Sequence, residues 1–440
     1  MKAIATFFEF EQNHTTLQRE ALAGATTFAT MAYIIFVNPA ILSTTGMDFG
    51  AVLVATCLAA ATGTLLMGLL ANYPIGLGPG MVRAADFACS LCGGMESPWQ
   101  ASLGGGFLSG AAFIILSAFR VRKKIIQSIP DSLKHAIAIG IGLFIAFIGL
   151  KQGGIVVNDA STFVKLGDLQ HAVPLLTIAG LLVSAVLLIR RVSGAILWGI
   201  LATGALALAS GQIQLHGVFA APPSLAPTFL KMDIAAILET GLVSVVVVFL
   251  FVDLFDTVGT LVAVGEQGKF MKDDQLPRGG RALFSDAVAT TAGAVLGTST
   301  TTAYIESSSG IAEGGRTGFA NVVTAGLFLC ALFFSPLVEL LGAGIEVDGV
   351  RYQPITAPAL IVVGSMMVGN SLKIDWHNYA EAIPAFLIVL GIPLTFSIAD
   401  GMALGFISFP LIKLFSGRGK DVGLTVYLLA AVFLGRYLLL

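Results

Sequence analysis

Long apolar stretches separated by short polar segments make up most of the chain. A helix needs about 20 consecutive apolar residues to cross a hydrocarbon core of about 30 Å, and many of these stretches have that length. The pattern predicts crossings at 21–43, 50–71, 98–119, 132–150, 172–189, 195–213, 238–266, 318–341, 357–371, 382–397 and 400–416. Shorter or interrupted elements follow at 74–92, 283–297 and 299–312. About fourteen elements result, and an apolar segment at 424–440 has no predicted place among them.

The composition supports a membrane protein. Of the 440 residues, 56% are hydrophobic and 11% are charged, whereas a soluble domain carries about 25% charged residues. The mean hydropathy is +0.89. The net charge of −2, without a basic cluster outside short loops, argues against a nucleic-acid partner. We therefore expect a single all-helical domain that is embedded in a lipid bilayer.

The cysteines predict no cofactor or metal site. Cys57, Cys89, Cys92 and Cys330 all lie in apolar segments. Cys89 and Cys92 have a metal-like spacing, but no second Cys or His pair completes a site. We expect these thiols to pack as small hydrophobic groups.

Basic residues predict the orientation in the membrane. They follow the even-numbered elements at 120–124, 190–191, 269–281, 316 and 418–420. All of these loops fall on one side if the N-terminus lies there too, and the positive-inside rule makes that side the cytoplasm. The longer loops at 215–236 and 342–356 are then outside.

The chain also resembles a doubled sequence. Residues 129–155 are loosely echoed by residues 355–375, about 225 positions later. Seven elements per half is an odd number, so the halves must have opposite topology, as in many secondary transporters. The interrupted elements at 74–92 and 299–312 occupy corresponding positions. Broken backbone at membrane depth is tolerated where it lines a cavity, so we expect a binding site there.

Two aspartates lie inside the seventh long apolar run. Asp253 and Asp256 are part of VVVVFLFVDLFDTVGTLVAV at 245–264, where a charge costs about 2.5–3.5 kcal/mol at the bilayer centre. Their spacing of three places both on one helix face, and Thr257 extends this polar stripe. Burial and the neighbouring charge both favour the protonated form of such a carboxyl group. We therefore predict that Asp253 and Asp256 carry the coupled proton, and that Asp256 also contacts the substrate.

Glu306 is surrounded by hydroxyl side chains in GTSTTTAYIESSSG at 297–310. Hydroxyl groups donate and accept hydrogen bonds without net charge, which suits a polar and uncharged ligand. An alternative is that Glu306 caps the N-terminus of a half-helix, a position that stabilises an acid. Both interpretations are compatible, because a half-helix N-terminus at the midplane is itself a ligand site.

Several motifs resemble the AzgA-type adenine/guanine/hypoxanthine permeases of the nucleobase–cation symporter (nucleobase–ascorbate transporter) family. They occur in the family's order over almost the whole chain: TTFATMAYIIFVNPAIL, NYPIGLGPGM, FVDLFDTVGTL, LPRGGRALFSDAVAT and GTSTTTAYIESSSGIAEGGRTG. The resemblance implies proton-coupled import of a purine nucleobase across the cell inner (plasma) membrane.

The resemblance also implies the uracil-permease type of fold. Fourteen spans would form two inverted repeats, with a core domain at 1–125 and 236–345 and a gate domain at 126–235 and 346–440. Short extended strands in elements three and ten would flank the base. The predicted substrate contacts are Asp256, Glu306, Phe87, Ala88, Thr302, Tyr304 and Ser307, and Asn38 and Thr257 are further candidates.

One stretch departs from the family pattern. After LGPGM the family reads close to GLNAFFAF, whereas this chain has VRAADFAC at 82–89. Arg83 and Asp86 introduce two opposite charges. The two side chains either form an ion pair with each other or add a contact to the ligand. Phe87 keeps an aromatic ring for stacking on the base. The preferred purine, and the choice between monomer and homodimer, are left open.

An intramembrane aspartyl protease and an anion transporter are two alternative functions for a membrane protein with buried acids. An intramembrane aspartyl protease takes its aspartates from two helices, one within a GxGD motif that this chain lacks, so we expect no enzyme. An anion or other small-solute transporter of the same fold remains the alternative, since a fold does not fix its substrate. Three acids in the site are unfavourable for an anion.

Overall fold

The structure is a computed structural model that describes residues 2–88, 98–118, 130–215, 217–239, 243–271, 276–342, 344–347 and 349–439. Within these ranges some side chains, including those of Arg83 and Asp86, are not described. The basic loop at 120–124 and the cysteines Cys89 and Cys92 lie outside the described residues.

The described part is mostly helical. The helices are α1 (Lys2–Phe7), α2 (Leu17–Met31), α3 (Ile34–Leu42), α4 (Phe49–Leu66), α5 (Met81–Asp86), α6 (Trp99–Ala118), α7 (Asp131–Gln152), α8 (Ala172–Ile189), α9 (Ala195–Ala209), α10 (Ile234–Glu239), α11 (Val243–Gln267), α12 (Gly279–Leu296), α13 (Ser307–Ala312), α14 (Phe319–Ala331), α15 (Ser335–Gly342), α16 (Ala357–Met367), α17 (Tyr379–Thr395), α18 (Ile398–Phe415) and α19 (Leu424–Leu439). The strands are β1 (Leu77–Pro79), β2 (Val156–Asp159), β3 (Phe163–Leu166), β4 (Thr301–Ala303), β5 (Ile345–Val347) and β6 (Val350–Tyr352).

Within the described ranges, several helical segments are long and apolar enough to cross a membrane: Leu17–Thr45, Phe49–Ala71, Asp131–Gln152, Ala172–Ile189, Phe319–Gly342 and Ile398–Phe415. The predicted all-helical membrane fold is confirmed, and the crossing at 172–189 has the predicted bounds. The total number of crossings and the inverted repeat remain predictions.

The first predicted crossing, 21–43, is not one continuous helix. Helix α2 ends at Met31 and α3 begins at Ile34, with Tyr33 in the break. The Thr30 hydroxyl donates back to the carbonyl oxygens of Thr26 and Thr27 at 3.1 and 2.9 Å. Such back-bonding competes with the helical ladder and bends helices.

The predicted strands in elements three and ten are confirmed. β1 and β4 pair antiparallel, with Leu77 opposite Ala303 and Pro79 opposite Thr301. The Thr64 hydroxyl accepts from the backbone N–H of Leu77 at 3.0 Å and donates to its carbonyl oxygen at 2.9 Å. Backbone groups at the outer edge of a two-stranded sheet have no further strand to pair with, and they cannot stay unpaired in an apolar interior. Hydrogen bonds to the Thr64 side chain take the place of that further strand.

Helix packing surrounds this strand pair. Helix α12 packs against both α4 and α6 on one side, and α2 packs on α13 and α14. A second set joins α7 with α16 and α17, and α8 with α9. The strand pair thus lies inside the first set of helices. The division into core and gate domains remains a prediction.

Candidate functional site

The candidate site lies where four predicted elements meet: the break in the first element, the β1–β4 pair, the start of α13, and α11. The backbone N–H of Gly80 donates to the carbonyl oxygen of Thr300 at 3.1 Å, and that of Tyr304 donates to Gly76 O at 3.0 Å. These bonds extend the pairing beyond the strand ends. Glu306 and the helix after it are thereby fixed against element three.

Glu306 is partly exposed and bound to the first element. The Tyr33 hydroxyl donates to Glu306 Oε1 at 2.7 Å, and the Thr30 hydroxyl donates to the Glu306 carbonyl oxygen at 3.2 Å. Glu306 occupies the N-cap position of α13, but its side chain makes no capping hydrogen bond. The capping alternative is therefore wrong for the side chain, which faces Tyr33 instead.

Asp256 and Asp253 occupy different environments. Asp256 is partly exposed, and the Thr302 hydroxyl of β4 donates to its Oδ2 atom at 3.1 Å. Asp253 is fully buried, and its Oδ2 atom lies 3.5 Å from the Thr290 hydroxyl. Thr290 belongs to α12, so the two aspartates of one helix face meet different elements.

A fourth acid, Asp286, joins the site and was not found from the sequence. It is fully buried in α12, and the Thr257 hydroxyl donates to its Oδ2 atom at 2.7 Å. The hydroxyl oxygens of Thr257 and Thr302 are 3.3 Å apart. A continuous series of side chains therefore runs from Asp286 through Thr257 and Thr302 to Asp256. Asp286 lies within the apolar element at 283–297, where burying an acid is costly. The argument used for Asp253 and Asp256 would therefore also have identified Asp286.

Two predicted contact residues are engaged with the protein itself. The Tyr304 hydroxyl donates to the carbonyl oxygen of Pro79, and the Ser307 hydroxyl accepts from the backbone N–H of Gly76 at 2.9 Å. The Tyr304 and Tyr33 rings are tilted, with centroids 6.4 Å apart. These bonds fix the strand pair in place. Substrate contact by Tyr304 and Ser307 remains a prediction.

Asn38 holds the segment before β4. Its amide Nδ2 donates to the hydroxyls of Thr56 and Thr298 at 2.7 and 2.8 Å, and its Oδ1 accepts from Ser299 at 3.2 Å. Asn38 is fully buried, so this network satisfies a group that would be costly to leave unpaired.

Phe87 and Ala88 are buried, and Phe87 borders a small cavity of about 10 Å³. Phe87 lines it together with Ser102, Leu103, Gly106, Ala294 and Thr298–Thr300. Neither Asp256 nor Glu306 belongs to this lining. We assign the site to the acids, because they carry the groups that can recognise a polar ligand. The charge pair predicted at Arg83 and Asp86 lies outside the described side chains.

Chemically, the site offers acceptors at two accessible carboxyl groups and hydroxyls that both donate and accept. Asp256 is near enough to Glu306 and Tyr304 for its charge to act on both. A planar ligand with several N–H groups can bridge two acids from different elements.

The model of the Permease family (Xan_ur_permease) matches residues 18–404 of the chain. A permease of Methanocaldococcus jannaschii is 51% identical over 442 residues, which covers 100% of this chain and 99% of that protein. The guanine/hypoxanthine permease PbuG of Bacillus subtilis is 44% identical, with 98% of each chain covered. The adenine permease AdeQ of Escherichia coli is 39% identical, with 98% of this chain and 95% of AdeQ covered.

Solved structures share the fold at low sequence identity. The transmembrane domain of the cyanobacterial bicarbonate transporter BicA superposes with a TM-score of 0.62 at 15% identity, covering 87% of this chain and 97% of that chain. The murine anion transporter SLC26A9 gives a TM-score of 0.62 at 9% identity, covering 91% and 69%. At such identities the likeness concerns the fold alone.

Proposed function

The chain belongs to the Permease family, whose model covers most of its length, and we propose that it is a symporter that moves purine nucleobases together with protons. Family and relatives are permeases, so the protein is a multi-pass membrane transporter and not an enzyme. The substrate class, the coupled ion and the residues that bind them are parts of the proposal.

The observation that carries the proposal is the pair of partly exposed carboxyl groups, Asp256 and Glu306, which are held by Thr302 of β4 and by Tyr33 in the break of the first element. A purine presents ring and exocyclic N–H groups, which need acceptors. Asp256 would accept from one edge of the base and Glu306 from another. Each such bond strongly favours a purine over a ligand that lacks the N–H group, because that ligand would leave the carboxylate acceptor unpaired.

The relatives favour the same substrate class. PbuG is named for guanine and hypoxanthine and AdeQ for adenine, at 44% and 39% identity over nearly the whole chain. The backbone N–H groups near the strand ends and the Thr302 hydroxyl would serve ring nitrogens and carbonyl oxygens. Phe87, Ala88, Tyr304 and Ser307 would shape the site around the base.

The environment of the acids supports the proposed proton coupling. Asp253 and Asp286 are fully buried, and an ionised carboxylate in that position is costly unless a proton neutralises it. The hydroxyls of Thr257 and Thr302 connect Asp286 with Asp256. We propose that Asp253 and Asp256 titrate as a coupled pair and exchange the transported proton.

The proposed cycle moves a core against a gate. The core would comprise residues 1–125 and 236–345, and the gate residues 126–235 and 346–440. Protonation and base binding would neutralise the polar site, which lowers the desolvation cost of moving it relative to the gate. The proposed orientation keeps the N-terminus cytoplasmic in the cell inner membrane.

Competition for uptake tests the substrate class. Cells that lack their own purine permeases would express this chain, and uptake of radiolabelled hypoxanthine would be measured with excess adenine, guanine, xanthine or uracil. We expect purines to compete and uracil to fail. The alternative, an anion transporter of the same fold, predicts bicarbonate or sulfate uptake and no purine uptake.

A further inference from the structure

We propose that α19 (Leu424–Leu439) is an additional membrane-crossing helix that carries the chain back through the bilayer after α18. Residues 418–420 and residue 439 then lie on opposite faces of the membrane, and the outer side of α19 contacts lipid acyl chains. The proposal does not depend on the transported substrate.

The two ends of α19 are fixed to opposite ends of α18. Near the start of α19, the Tyr427 hydroxyl donates to the carbonyl oxygen of Gly419 at 3.1 Å, just after the end of α18. Near the end of α19, the Tyr437 hydroxyl donates to Asp400 Oδ1 at 2.5 Å, in the first turn of α18. The two helices are therefore antiparallel, and α19 retraces nearly the full length of α18.

This length is enough to traverse most of a hydrocarbon core. Leu424 and Tyr437 are separated by about 20 Å along the helix axis at 1.5 Å per residue. Helix α18 itself runs from Ile398 to Phe415 and is among the segments that are long and apolar enough to cross. A helix that follows it from end to end reaches the same depth.

Both sides of α19 are apolar. The side that packs on α18 contains Val426, Leu429, Ala430 and Phe433, all buried, and this spacing corresponds to one helix face. Phe433 and Phe406 of α18 have ring centroids 6.0 Å apart. The opposite side exposes Leu424, Leu428 and Val432. In water this face would be a costly apolar surface. A helix with apolar residues on both sides, whose one charged residue, Arg436, lies in its last turn, suits a membrane span.

Charged groups lie at both ends of α19, with Arg436 in its last turn, Asp400 beside Tyr437, and two ion pairs at the end where α19 begins. Lys413 and Glu381 form an ion pair of 3.3 Å between the end of α18 and the start of α17. Arg418 Nε lies 3.0 Å from Asp421 Oδ2 in the turn that follows. Charged groups gather at the membrane surface rather than within the hydrocarbon core. This turn is accordingly the interfacial end from which α19 enters the bilayer.

Split green fluorescent protein tests the proposal in the full-length chain. The short eleventh strand would be inserted between Gly417 and Arg418 in one version and appended after Leu440 in another, with the large fragment expressed in the cytoplasm. An antibody to the short strand, applied to intact and to permeabilised spheroplasts, would report the opposite side. We expect fluorescence from one version only and antibody access in intact spheroplasts for the other only. Both tags on the same side would overturn the proposal.

A pair of substitutions tests the lipid contact separately. Leu428→Asp places a charge on the exposed apolar side of α19, and Lys420→Asp changes the charge of the exposed turn before it. We expect Leu428→Asp to lose most of the monodisperse, membrane-inserted protein and Lys420→Asp to retain it. Full retention of the Leu428→Asp protein would mean that this side of α19 faces water and would contradict the proposal.

Discussion

Tyr33 and Glu306 are 273 positions apart in the chain, and the hydroxyl of the first donates to the carboxylate of the second at 2.7 Å. Tyr33 stands in the break between α2 and α3, and Glu306 stands between β4 and α13. The bond joins two interrupted elements at the level of the strand pair. It occupies one carboxylate oxygen, Oε1, and thereby limits the directions from which a ligand N–H can approach Glu306.

Replacing Tyr33 with Phe keeps the ring and removes only this hydroxyl. Hydrogen bonds to charged groups contribute about 1.5–3 kcal/mol, and Glu306 without its donor is free to rotate. We expect purine affinity to fall by about ten-fold or more, measured by equilibrium binding of radiolabelled guanine to purified protein. Tyr427→Phe is the matched control, because its hydroxyl bonds to Gly419 far from the site. Equal affinity in both variants would show that Tyr33 does not position Glu306.

The Glu306→Gln variant tests the acceptor itself. Glutamine keeps the shape of the side chain but replaces one acceptor oxygen with an N–H donor. The loss of one buried partner costs about 1–3 kcal/mol, or roughly 5- to 150-fold in affinity for hypoxanthine. Glu313→Gln is the control, since Glu313 is exposed at the end of α13. Unchanged affinity of Glu306→Gln would remove Glu306 from the proposed site.

Much of the fold could be predicted from the apolar pattern. The bounds 172–189 agree with α8, and the Gly-, Pro- and Thr-rich stretches at 74–92 and 299–312 do contain the strands β1 and β4. Gly, Pro and Thr are poor helix formers, so the interruption of the helix can be predicted from the sequence itself. The break at Tyr33 could not be predicted in this way, because the segment TTFATMAYIIF contains no Gly or Pro and the hydrogen bonds of the Thr30 side chain are visible only in the structure.

The site could be predicted only in part. Asp253, Asp256 and Glu306 were found because a charge in an apolar run is visible in the sequence. Thr290 and Tyr33 were not found, and Thr302 was predicted as a substrate contact and not as a donor to Asp256, because these partnerships depend on contacts between distant segments. The different burial of Asp253 and Asp256 has the same origin, since the spacing of three residues places them on one face without fixing what covers that face.

The close approach of Gly318, the N-cap residue of α14, to the segment that follows α4 limits side-chain size at this position. A Cβ atom there would overlap the backbone carbonyl of Gly68, which cannot move as a side chain does. We expect Gly318→Ala to lower the free energy of unfolding by about 1–3 kcal/mol, seen as a lower midpoint of thermal unfolding in detergent. Gly326→Ala is the control in the same helix, because a Cβ atom there meets open space. Since Ala favours helix by about 1 kcal/mol over Gly, that control should be neutral or stabilised, and an equal loss in both variants would contradict the packing argument.

Energy coupling is tested by replacing the partly exposed acid of α11. A neutral base carries no charge, so its accumulation against a gradient requires a cotransported cation, and a carboxyl group is neutralised most simply by a proton. Asp256→Asn keeps an oxygen that can accept from the Thr302 hydroxyl, now at 3.1 Å, and mimics the protonated form. We expect the variant to bind hypoxanthine and to exchange it across proteoliposome membranes, yet to accumulate none when a proton gradient is imposed.

In the parent protein a protonophore should abolish accumulation, and replacement of sodium by choline should leave it unchanged. Accumulation that requires sodium and persists with the protonophore would contradict proton coupling while leaving the purine assignment intact, because binding and exchange are measured separately.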